Sequence, residues 1–505
     1  MRGRGRSDLF CRGSAAHYHA LRGLTDPRRR ERPGSGGGSR EPGSGRTGRA
    51  WMAKPTQVAF VSLGCAKNLV DSEKMLGQLA EAGCAVTADE SRADVIVINT
   101  CGFLEASRTE ALAEIADAVE KKRSGRVKRV VVAGCLVQRD GESIRERVQG
   151  VDALVGVNNR DDIVLAVLGN EKPRARRSRP DLFLSSYHQI TQLDTGRLRL
   201  TPKHYAYLRI SEGCDQKCTF CTIPSIRGPM HSKPAEAILA EARELAADGA
   251  VEISLIGQDT TSYGQDLGDA GGLAGLLRRL DEVDGVRWFR LMYVYPSVFT
   301  DEMIDAVAEC EKVVKYIDIP LQHISDRVLK SMHRRITRGQ TEQLLGRLRE
   351  RIPGVTIRTT MIVGFPGETE AEFEELTEFV RDFGFDALGV FAYSREAETP
   401  AGRMKEQIPQ EVKEARVDRL MRVQQEAAFA RAASRAGLRF TVLVDGRSVD
   451  GRTMARHAGQ APSVDGVTWV SGCDAGAGEF VEVRCDGSEG YDLTAVPTRV
   501  ALTVL

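Results

Sequence analysis

Three cysteines within one short segment carry the clearest chemical signal in the sequence. Cys214, Cys218 and Cys221 lie in SEGCDQKCTFC, with three and then two residues between successive thiols, and we call them the loop trio. A structural zinc site needs a fourth ligand, and the nearby candidates, His204 and His231, each lie ten residues outside the trio. Three thiolates with an open fourth position instead favour an iron–sulfur cluster that binds a small molecule.

Cys65, Cys101 and Cys135 form a second set, which we call the edge trio. They lie 36 and 34 residues apart, and each follows a predicted strand. Because the carboxyl ends of parallel strands meet at one edge of a sheet, this spacing predicts that the three thiols converge on a second metal cluster. The odd total of 11 cysteines argues against a disulfide framework. Other cysteines are interpreted as structural: Cys84, Cys310, Cys473 and Cys485.

The elements that must position the edge trio alternate between strand and helix. Buried strand patterns occupy Gln57–Leu63, Asp94–Thr100 and Arg129–Ala133. Helical patterns follow them at about Asp71–Ala82, Glu105–Lys122 and Ser143–Val148. This alternation predicts right-handed crossovers and a Rossmann-like parallel sheet in residues 55–169.

Six further strand–helix units occupy the middle of the chain. The strand of the first unit precedes the loop trio, and the other five strands follow it. The predicted strands are Tyr205–Ile210, Val251–Ile256, Val286–Met292, Lys315–Ile319, Thr356–Val363 and Ala387–Ala392. Six units fall short of the eight in a closed barrel, so residues 200–436 are expected to form an open (β/α)6 partial TIM barrel that ends in a charged helix near Gln410–Ala436. Residues 437–505 change to short β-rich pieces and predict a small OB-like β-barrel.

Composition narrows the class of protein. The chain has 505 residues, a formal net charge of +1 and no run of about 18 apolar residues, which argues against a membrane-spanning helix. Residues 1–51 hold 12 Arg, 11 Gly and 4 acidic residues. We therefore expect a disordered Arg/Gly-rich head over residues 1–54, upstream of a start at Met52, with a transit peptide or a basic RNA-binding arm as alternatives. Residues 170–199, with several Pro and Arg, are predicted to be a linker.

The loop trio also carries a family resemblance. Phe220 precedes the last cysteine, and the pattern C-x3-C-x-aromatic-C after the first strand of a six-unit barrel resembles the radical S-adenosylmethionine family. The resemblance implies that the loop trio holds a 4Fe-4S cluster whose unique iron chelates the methionine part of S-adenosylmethionine. It also implies reductive cleavage to a 5′-deoxyadenosyl radical, a chemistry that belongs to the cofactor while the protein orients it.

Two cysteine trios followed by a terminal β-barrel resemble the methylthiotransferases of that family. Four segments sharpen the match: SLGCAKNLVDSE (Ser62–Glu73), CTFCTIPSIRGPMHSKP (Cys218–Pro234), YIDIPLQHISDRVLKSMHRR (Tyr316–Arg335) and RTTMIVGFPGETEAEF (Arg358–Phe373). They are similar to the branch that methylthiolates the β-carbon of an aspartate in small-subunit ribosomal protein S-twelve. Ala66 stands where that branch often has Pro, a minor departure. The sister branch, which modifies an adenosine of transfer RNA, is the alternative.

The resemblance implies two 4Fe-4S clusters, with the edge trio holding the one that carries the transferred sulfur, and two S-adenosylmethionine molecules per turnover. It implies a cytoplasmic enzyme that takes electrons from a flavodoxin or ferredoxin, and it makes the last domain a TRAM module. Residues 437–505 contain 6 Arg, no Lys and 9 acidic residues. An RNA-gripping module should be basic, so we expect no stable nucleic-acid binding. A non-catalytic iron–sulfur protein is the least favoured alternative because both trios are intact.

Contacts with S-adenosylmethionine are predicted at a few further positions. Gly257 and Gln258 follow the second barrel strand, where this superfamily usually meets the methionine amino group, although an ordinary turn would look the same. Gly364, with Gly367, offers close backbone approach to adenosine. Arg358 could pair with the methionine carboxylate or with Glu368. His323 is equally consistent with a packed polar residue and a substrate contact.

Overall fold

The computed structural model describes residues 54–169, 181–186, 193–268 and 271–498. The predictions of a disordered head and of a start at Met52 lie outside these residues, as does most of the segment predicted to be a linker. The described part forms three units in chain order, each built around its own sheet.

The first unit is a six-stranded, wholly parallel sheet. Its strands are β1 (Gln57–Ser62), β2 (Ala85–Thr87), β3 (Val95–Thr100), β4 (Arg129–Gly134), β5 (Ala153–Gly156) and β6 (Leu182–Phe183), in the order β2-β1-β3-β4-β5-β6. The predicted parallel sheet is therefore confirmed. The strands absent from the prediction, β2, β5 and β6, are only two to four residues long, too short to show a hydrophobic period.

Two of the predicted helices of the first unit begin where the sequence predicts, at Glu105 and Ser143, and one begins earlier. The helices of this unit span Ala66–Glu81, Glu105–Arg123, Cys135–Asp140, Ser143–Arg147 and Ile163–Leu168. The first helix starts directly after Cys65 rather than near Asp71, because its first turn buries Lys67 and Asn68, two polar residues that mask the apolar period. The helix that begins at Cys135 is an addition, since the sequence predicted the next helix only at about Ser143.

The second unit is the expected open barrel. Its six parallel strands are β7 (Tyr205–Arg209), β10 (Glu252–Ile256), β11 (Trp288–Leu291), β12 (Val313–Asp318), β13 (Thr356–Val363) and β14 (Ala387–Ala392), in the order β14-β13-β12-β11-β10-β7. A short antiparallel ribbon, β8 (Ser211–Glu212) with β9 (His231–Ser232), brackets the loop trio. Strands β7 and β14 form the two edges, so the partial barrel is confirmed.

Helices connect or follow the strands of this unit. They span Ile223–Arg227, Ala235–Ala247, Gly272–Asp281, Asp301–Glu309, Asp326–Ser331, Arg338–Arg351, Glu370–Phe383 and Gln410–Ser434. A capping box fixes the start of the helix Glu370–Phe383, where Thr369 accepts a hydrogen bond from the Glu372 amide and Glu372 reaches back to the Thr369 amide. None of the helices in the described ranges is both long enough and apolar enough to cross a membrane.

The third unit is a closed five-stranded barrel. Its strands are β15 (Arg439–Arg447), β16 (Thr453–His457), β17 (Thr468–Val470), β18 (Phe480–Glu489) and β19 (Asp492–Pro497), in the order β15-β16-β17-β19-β18. The small β-barrel is therefore confirmed. Strand β16 is an addition to the predicted strands, because its sequence TMARH offers a weak apolar alternation.

Buried ion pairs connect this small barrel to the partial barrel. The guanidinium of Arg456 donates to Glu252 on β10 at 2.6 Å and to Asp445 at 2.7 and 2.8 Å. Glu252 also accepts hydrogen bonds from Arg290 at 2.8 and 3.0 Å, and His204 lies 2.9 Å from Asp445. Each acid thus faces a cation, which is the condition for burying ionised groups at low cost.

Replacing Arg456 with Met should loosen this junction. The change leaves the buried Glu252 and Asp445 short of a cation, which costs about 3–5 kcal/mol. Unfolding monitored by calorimetry should show the last barrel melting earlier, with faster proteolysis before residue 437. The control is Arg452→Met, which removes an exposed arginine beside the same strand and should leave the melt unchanged. Identical melts for Arg456→Met and wild type would contradict this role.

Candidate active site

The edge trio lies at the carboxyl ends of three neighbouring strands. Cys65 follows β1 as the residue before the first helix, Cys101 follows β3, and Cys135 opens the helix after β4. The chain turns at these positions touch one another. A side chain at Gly64, which has φ +94°, would meet the Cβ of Cys101 at 2.9 Å, and one at Gly102 would meet the carbonyl carbon of Cys135 at 2.8 Å. The sheet topology therefore brings the three cysteine positions together.

The thiol of Cys135 is the most enclosed of the edge trio. It donates to Asn68 Oδ1 at 3.6 Å and accepts from the Arg227 guanidinium at 3.2 Å. Burial raises its pKa to about 12, and Arg227 opposes that shift. Burial also raises the pKa of Cys101. Such thiols ionise only when positive charge is close, and a metal bound by them would supply that charge.

The loop trio is held by its own backbone. The Cys221 amide donates to the Cys218 carbonyl at 3.2 Å, and the Cys214 amide donates to the Gly228 carbonyl at 3.1 Å. Burial raises the pKa of both Cys214 and Cys221 to about 12, and the nearby Cys218 raises it further in each case. The three thiols are thus close enough to influence one another.

Groups from the barrel surround the loop trio. The predicted aromatic, Phe220, is half-buried and packs against a small apolar cluster of the barrel that includes Met332 and Phe365. Arg334 was missed by sequence reasoning: its guanidinium lies 4.1 Å over the ring of Tyr295 and 3.7 Å from the sulfur of Cys218. Its Nε has no hydrogen-bond partner in the part of the chain that the structure describes. The site therefore holds a buried cation beside the thiols.

The donor set suits clusters better than single ions. All six trio cysteines are free thiols. Within the described ranges, no group of three or more His, Cys, Asp and Glu side chains is arranged to hold a single metal ion. Three thiolates spread over one loop, or over one sheet edge, fit a multi-iron cluster.

Gly257 and Gln258 lie at the carboxyl end of β10 as predicted, but both already have partners. The Gly257 carbonyl accepts a hydrogen bond from Lys67 Nζ at 3.1 Å. The Gln258 amide nitrogen donates to Glu212 at 2.5 Å, and its amide oxygen has no partner among the described residues. Their contact with the methionine group stays a prediction.

The expected pairing of Arg358 with Glu368 is wrong. Arg358 lies 2.7 Å from Asp318 on the neighbouring strand and 3.4 Å from Asp465, which the last barrel inserts here. Glu368 instead accepts from Arg416 at 2.9 Å. Arg358 is therefore already neutralised by two carboxylates, and its contact with the methionine carboxylate stays a prediction.

Two other predicted positions are explained by packing. Gly364, with φ +74°, donates its amide to Glu368 at 2.7 Å, and a side chain there would meet Lys413 Cγ at 2.3 Å. His323 is fully buried, and its Nδ1 accepts from the Ser325 amide at 3.1 Å. The fold thus requires a glycine at position 364. Contact between this glycine and adenosine stays a prediction.

A network of buried charges, missed by sequence reasoning, links the two trios. Arg227, six residues after Cys221, donates to Glu212 at 2.9 Å, to Asp71 at 3.0 Å and to the thiol of Cys135. We call the whole set the buried-charge network; its acids are Asp71, Asp194, Glu212 and Glu241, and its cations are Arg160, Arg209, Arg227 and Lys233. It joins the first sheet to the partial barrel.

Opposite charges keep this network ionised. Burial alone would raise the pKa of Asp71 and of Asp194, but neighbouring guanidiniums, Arg209 foremost, hold both pKa values below the ordinary range. Asp194 falls in the segment predicted to be a linker, yet it is fully buried and contacts Arg160, Arg209 and Lys233. That part of the segment is an anchor between the two sheets.

Replacing Arg227 with Met should weaken the junction between the trios. Asp71 and Glu212 would lose a buried cation, at a cost of about 3–5 kcal/mol in the free energy of unfolding. Denaturant unfolding followed by tryptophan fluorescence measures the loss. Arg243→Met, which removes an exposed arginine, is the control and should leave unfolding unchanged. Equal stability of the Arg227 and Arg243 variants would show that the network contributes nothing at this position.

Three known families match this chain, one in each of the three units. Residues 57–156 match the uncharacterized protein family UPF0004, residues 208–380 match the radical SAM superfamily, and residues 436–497 match the TRAM domain. Among solved structures, the radical S-adenosylmethionine methyltransferase TsrM from Kitasatospora setae is similar. One form, with tryptophan and an aza analogue of S-adenosylmethionine, has a TM-score of 0.54 at 15% identity over 69% of this chain and 75% of that one. This likeness concerns the fold.

Curated relatives match over nearly the whole described chain. The ribosomal protein uS12 methylthiotransferase RimO of Anaeromyxobacter sp. (strain K) is 45% identical over 87% of this chain and 92% of its own length. RimO of Symbiobacterium thermophilum is 45% identical over 88% and 92%, and RimO of Geobacter sulfurreducens is 42% identical over 86% and 97%. Because identity of this level covers 86–88% of this chain, the chain belongs to the RimO family of radical S-adenosylmethionine methylthiotransferases.

Proposed function

We propose that this chain transfers a methylthio group to the β-carbon of an aspartate in ribosomal protein uS12. The observation that carries the proposal is the 42–45% identity, over 86–88% of this chain, to proteins named ribosomal protein uS12 methylthiotransferase. The free thiols at the carboxyl edges of two facing parallel sheets support it, because that is where such sheets place their chemistry.

The proposal assigns one 4Fe-4S cluster to each trio. The loop trio would hold the cluster that binds S-adenosylmethionine, and the edge trio would hold the one that carries the sulfur. When bound, these groups supply radical generation and a transferable sulfur, chemistry that side chains lack. Electrons would come from a flavodoxin or ferredoxin in the cytoplasm.

The chain's own residues prepare the space around these thiols. Arg334 and Tyr295 lie against Cys218 and place positive charge and an aromatic wall beside the loop trio. Arg227 donates to Cys135 from the opposite side and lowers the cost of a thiolate there. Phe220 packs against the apolar cluster that includes Phe365, next to Cys221. Thus each trio has a cation in contact with one of its sulfurs.

Charge favours a protein substrate over transfer RNA. The last barrel contains 9 acidic residues against 6 Arg and no Lys within residues 437–505. Ribosomal proteins are commonly basic, so an acidic domain would assist encounter and orientation, whereas it would repel an RNA backbone. The adenosine methylthiotransferase activity of the sister branch is therefore the second candidate.

A direct assay compares the two substrates. The iron-loaded enzyme is incubated anaerobically with S-adenosylmethionine, a reductant and either uS12 or total transfer RNA, and the products are analysed by mass spectrometry. We expect uS12 to gain one methylthio group in exchange for hydrogen at an aspartate, with transfer RNA unchanged. Methylthioadenosine in the RNA with unmodified uS12 would replace the first candidate by the second.

A further inference from the structure

A buried lysine without an acidic partner lies where the two sheets face each other. Lys67 is two residues after Cys65, and only 9% of it is exposed. Its ammonium donates to the carbonyl of Gly257, which follows β10, at 3.1 Å. Within the part of the chain that the structure describes, Lys67 forms no ion pair with a carboxylate. Lys67 therefore links the segment that holds Cys65 to the end of β10, and no carboxylate of the described residues neutralises its charge.

Five other buried cations nearby each pair with one or more buried acids: Arg160, Arg209, Arg227, Lys233 and Arg290. Arg334 also has no carboxylate partner among the described residues, but its guanidinium lies against the sulfur of Cys218 at the loop trio. A buried ammonium is costly unless paired, and a carbonyl satisfies only one of its three donors. Lys67 is thus equipped to accept a carboxylate that the chain itself does not supply.

Tyr293 completes the surroundings of this ammonium. Its ring centre lies 3.4 Å from Lys67 Nζ. Its backbone has φ +59°, a conformation that side-chain-bearing residues rarely adopt, and it is held by hydrogen bonds from its amide to Asp318 and to its carbonyl from Thr260. Strain of this kind is maintained where the surrounding structure requires it, often at ligand sites. Tyr293 as a whole is half-buried, whereas Lys67 is buried.

We infer that Lys67, with Tyr293 as its wall, binds the side-chain carboxylate of the target aspartate. The inference rests on the proposed function and deepens it. An aspartate that enters between the trios leaves water, so its charge needs a buried cation, and Lys67 is two residues from an edge-trio thiol. The carboxylate is bonded directly to the β-carbon, so anchoring it fixes the reacting carbon beside that trio.

The test measures binding rather than turnover. Fluorescence anisotropy is recorded for labelled uS12 and for labelled uS12 whose target aspartate is replaced by Asn, each with anaerobic, iron-loaded enzyme. Wild-type enzyme should bind the aspartate form at least about tenfold more tightly, the value of one charge-assisted hydrogen bond. In Lys67→Met this preference should disappear, and Lys67→Arg should restore part of it.

The control is Lys74→Met, a half-buried lysine two turns further along the same helix whose ammonium donates to the Thr195 carbonyl. It should keep the preference for aspartate. If Lys67→Met also keeps it, the inference is wrong, and a shifted potential of the edge cluster or weaker S-adenosylmethionine binding without uS12 would assign the lysine to those groups instead. Failure of wild-type enzyme to modify uS12 would overturn the proposed function itself, a different outcome.

Discussion

Replacing Cys214, Cys218 and Cys221 together by Ala is expected to abolish the cleavage of S-adenosylmethionine while leaving an iron–sulfur signal. The thiolates are the cluster ligands, and the edge trio lies on a separate sheet with its own complete set of donors. Formation of 5′-deoxyadenosine under reductant should fall below detection. Iron content should drop from about eight to about four atoms per chain, with visible absorption retained.

The matched control for this triple variant is Cys310→Ala. Cys310 is also a buried cysteine of the partial barrel, but it lies after the helix Asp301–Glu309 and has no cysteine beside it in the described structure. It should keep full cleavage and full iron content. Residual formation of 5′-deoxyadenosine by the triple variant would mean that the loop trio is not the reactive cluster.

Changing Cys101 to Ala should have the complementary effect. Thiomethyl transfer to uS12 should stop, while 5′-deoxyadenosine is still produced without coupling to product. The reason is geometric: Cys101 ends the strand between those that lead to Cys65 and Cys135, so its loss opens one corner of a cluster held by three strands. Product analysis by mass spectrometry, together with quantified 5′-deoxyadenosine, separates the two activities.

Cys84→Ala serves as the control for this variant, because Cys84 is a buried cysteine of the same sheet that lies before β2, away from the carboxyl edge. It should retain thiomethyl transfer. Metal analysis adds a second criterion. Loss of iron and sulfide from Cys101→Ala agrees with a cluster, whereas retained methylthiolation, or stoichiometric zinc in the wild-type protein, would refute the assignment of the edge trio.

Sequence alone predicted the longer strands of the two parallel sheets and the places of the trio cysteines relative to those strands. All six barrel strands lie where Val, Ile and Leu runs predicted them, because strands buried on both faces are almost continuously apolar. The convergence of the edge trio followed from one rule about parallel sheets, and the contacts at Gly64 and Gly102 agree with it. Regular periodicity and topology were therefore readable without coordinates.

Buried polar groups could not be predicted in the same way. Lys67, Arg227 and Arg334 are residue types that most often face solvent, and nothing local in the sequence distinguishes a buried charge from an exposed one. Their positions depend on partners far away in the chain, as when Arg227 meets Asp71 across 156 residues. Asp194 was assigned to a linker for the same reason. One signal in the sequence pointed to such buried groups: charged residues are frequent in the segments next to the trio cysteines.

The prediction that Arg358 pairs with Glu368 was wrong for a related reason. Its neighbours on the sequence suggested Glu368, but the register of β12 and β13 sets Arg358 opposite Asp318, and the last barrel adds Asp465. Contacts across strands and between units decide which charges meet. Such contacts are set by register and docking, which a single sequence does not reveal.

The central claim, that uS12 is the substrate, is tested most directly by mass analysis of ribosomal proteins and transfer RNA from cells that lack this chain. We predict that uS12 from these cells lacks one methylthio group at an aspartate, that reintroducing the chain restores it, and that the loop-trio triple variant does not. An unchanged mass of uS12, accompanied by loss of a methylthio group from transfer RNA, would contradict the account.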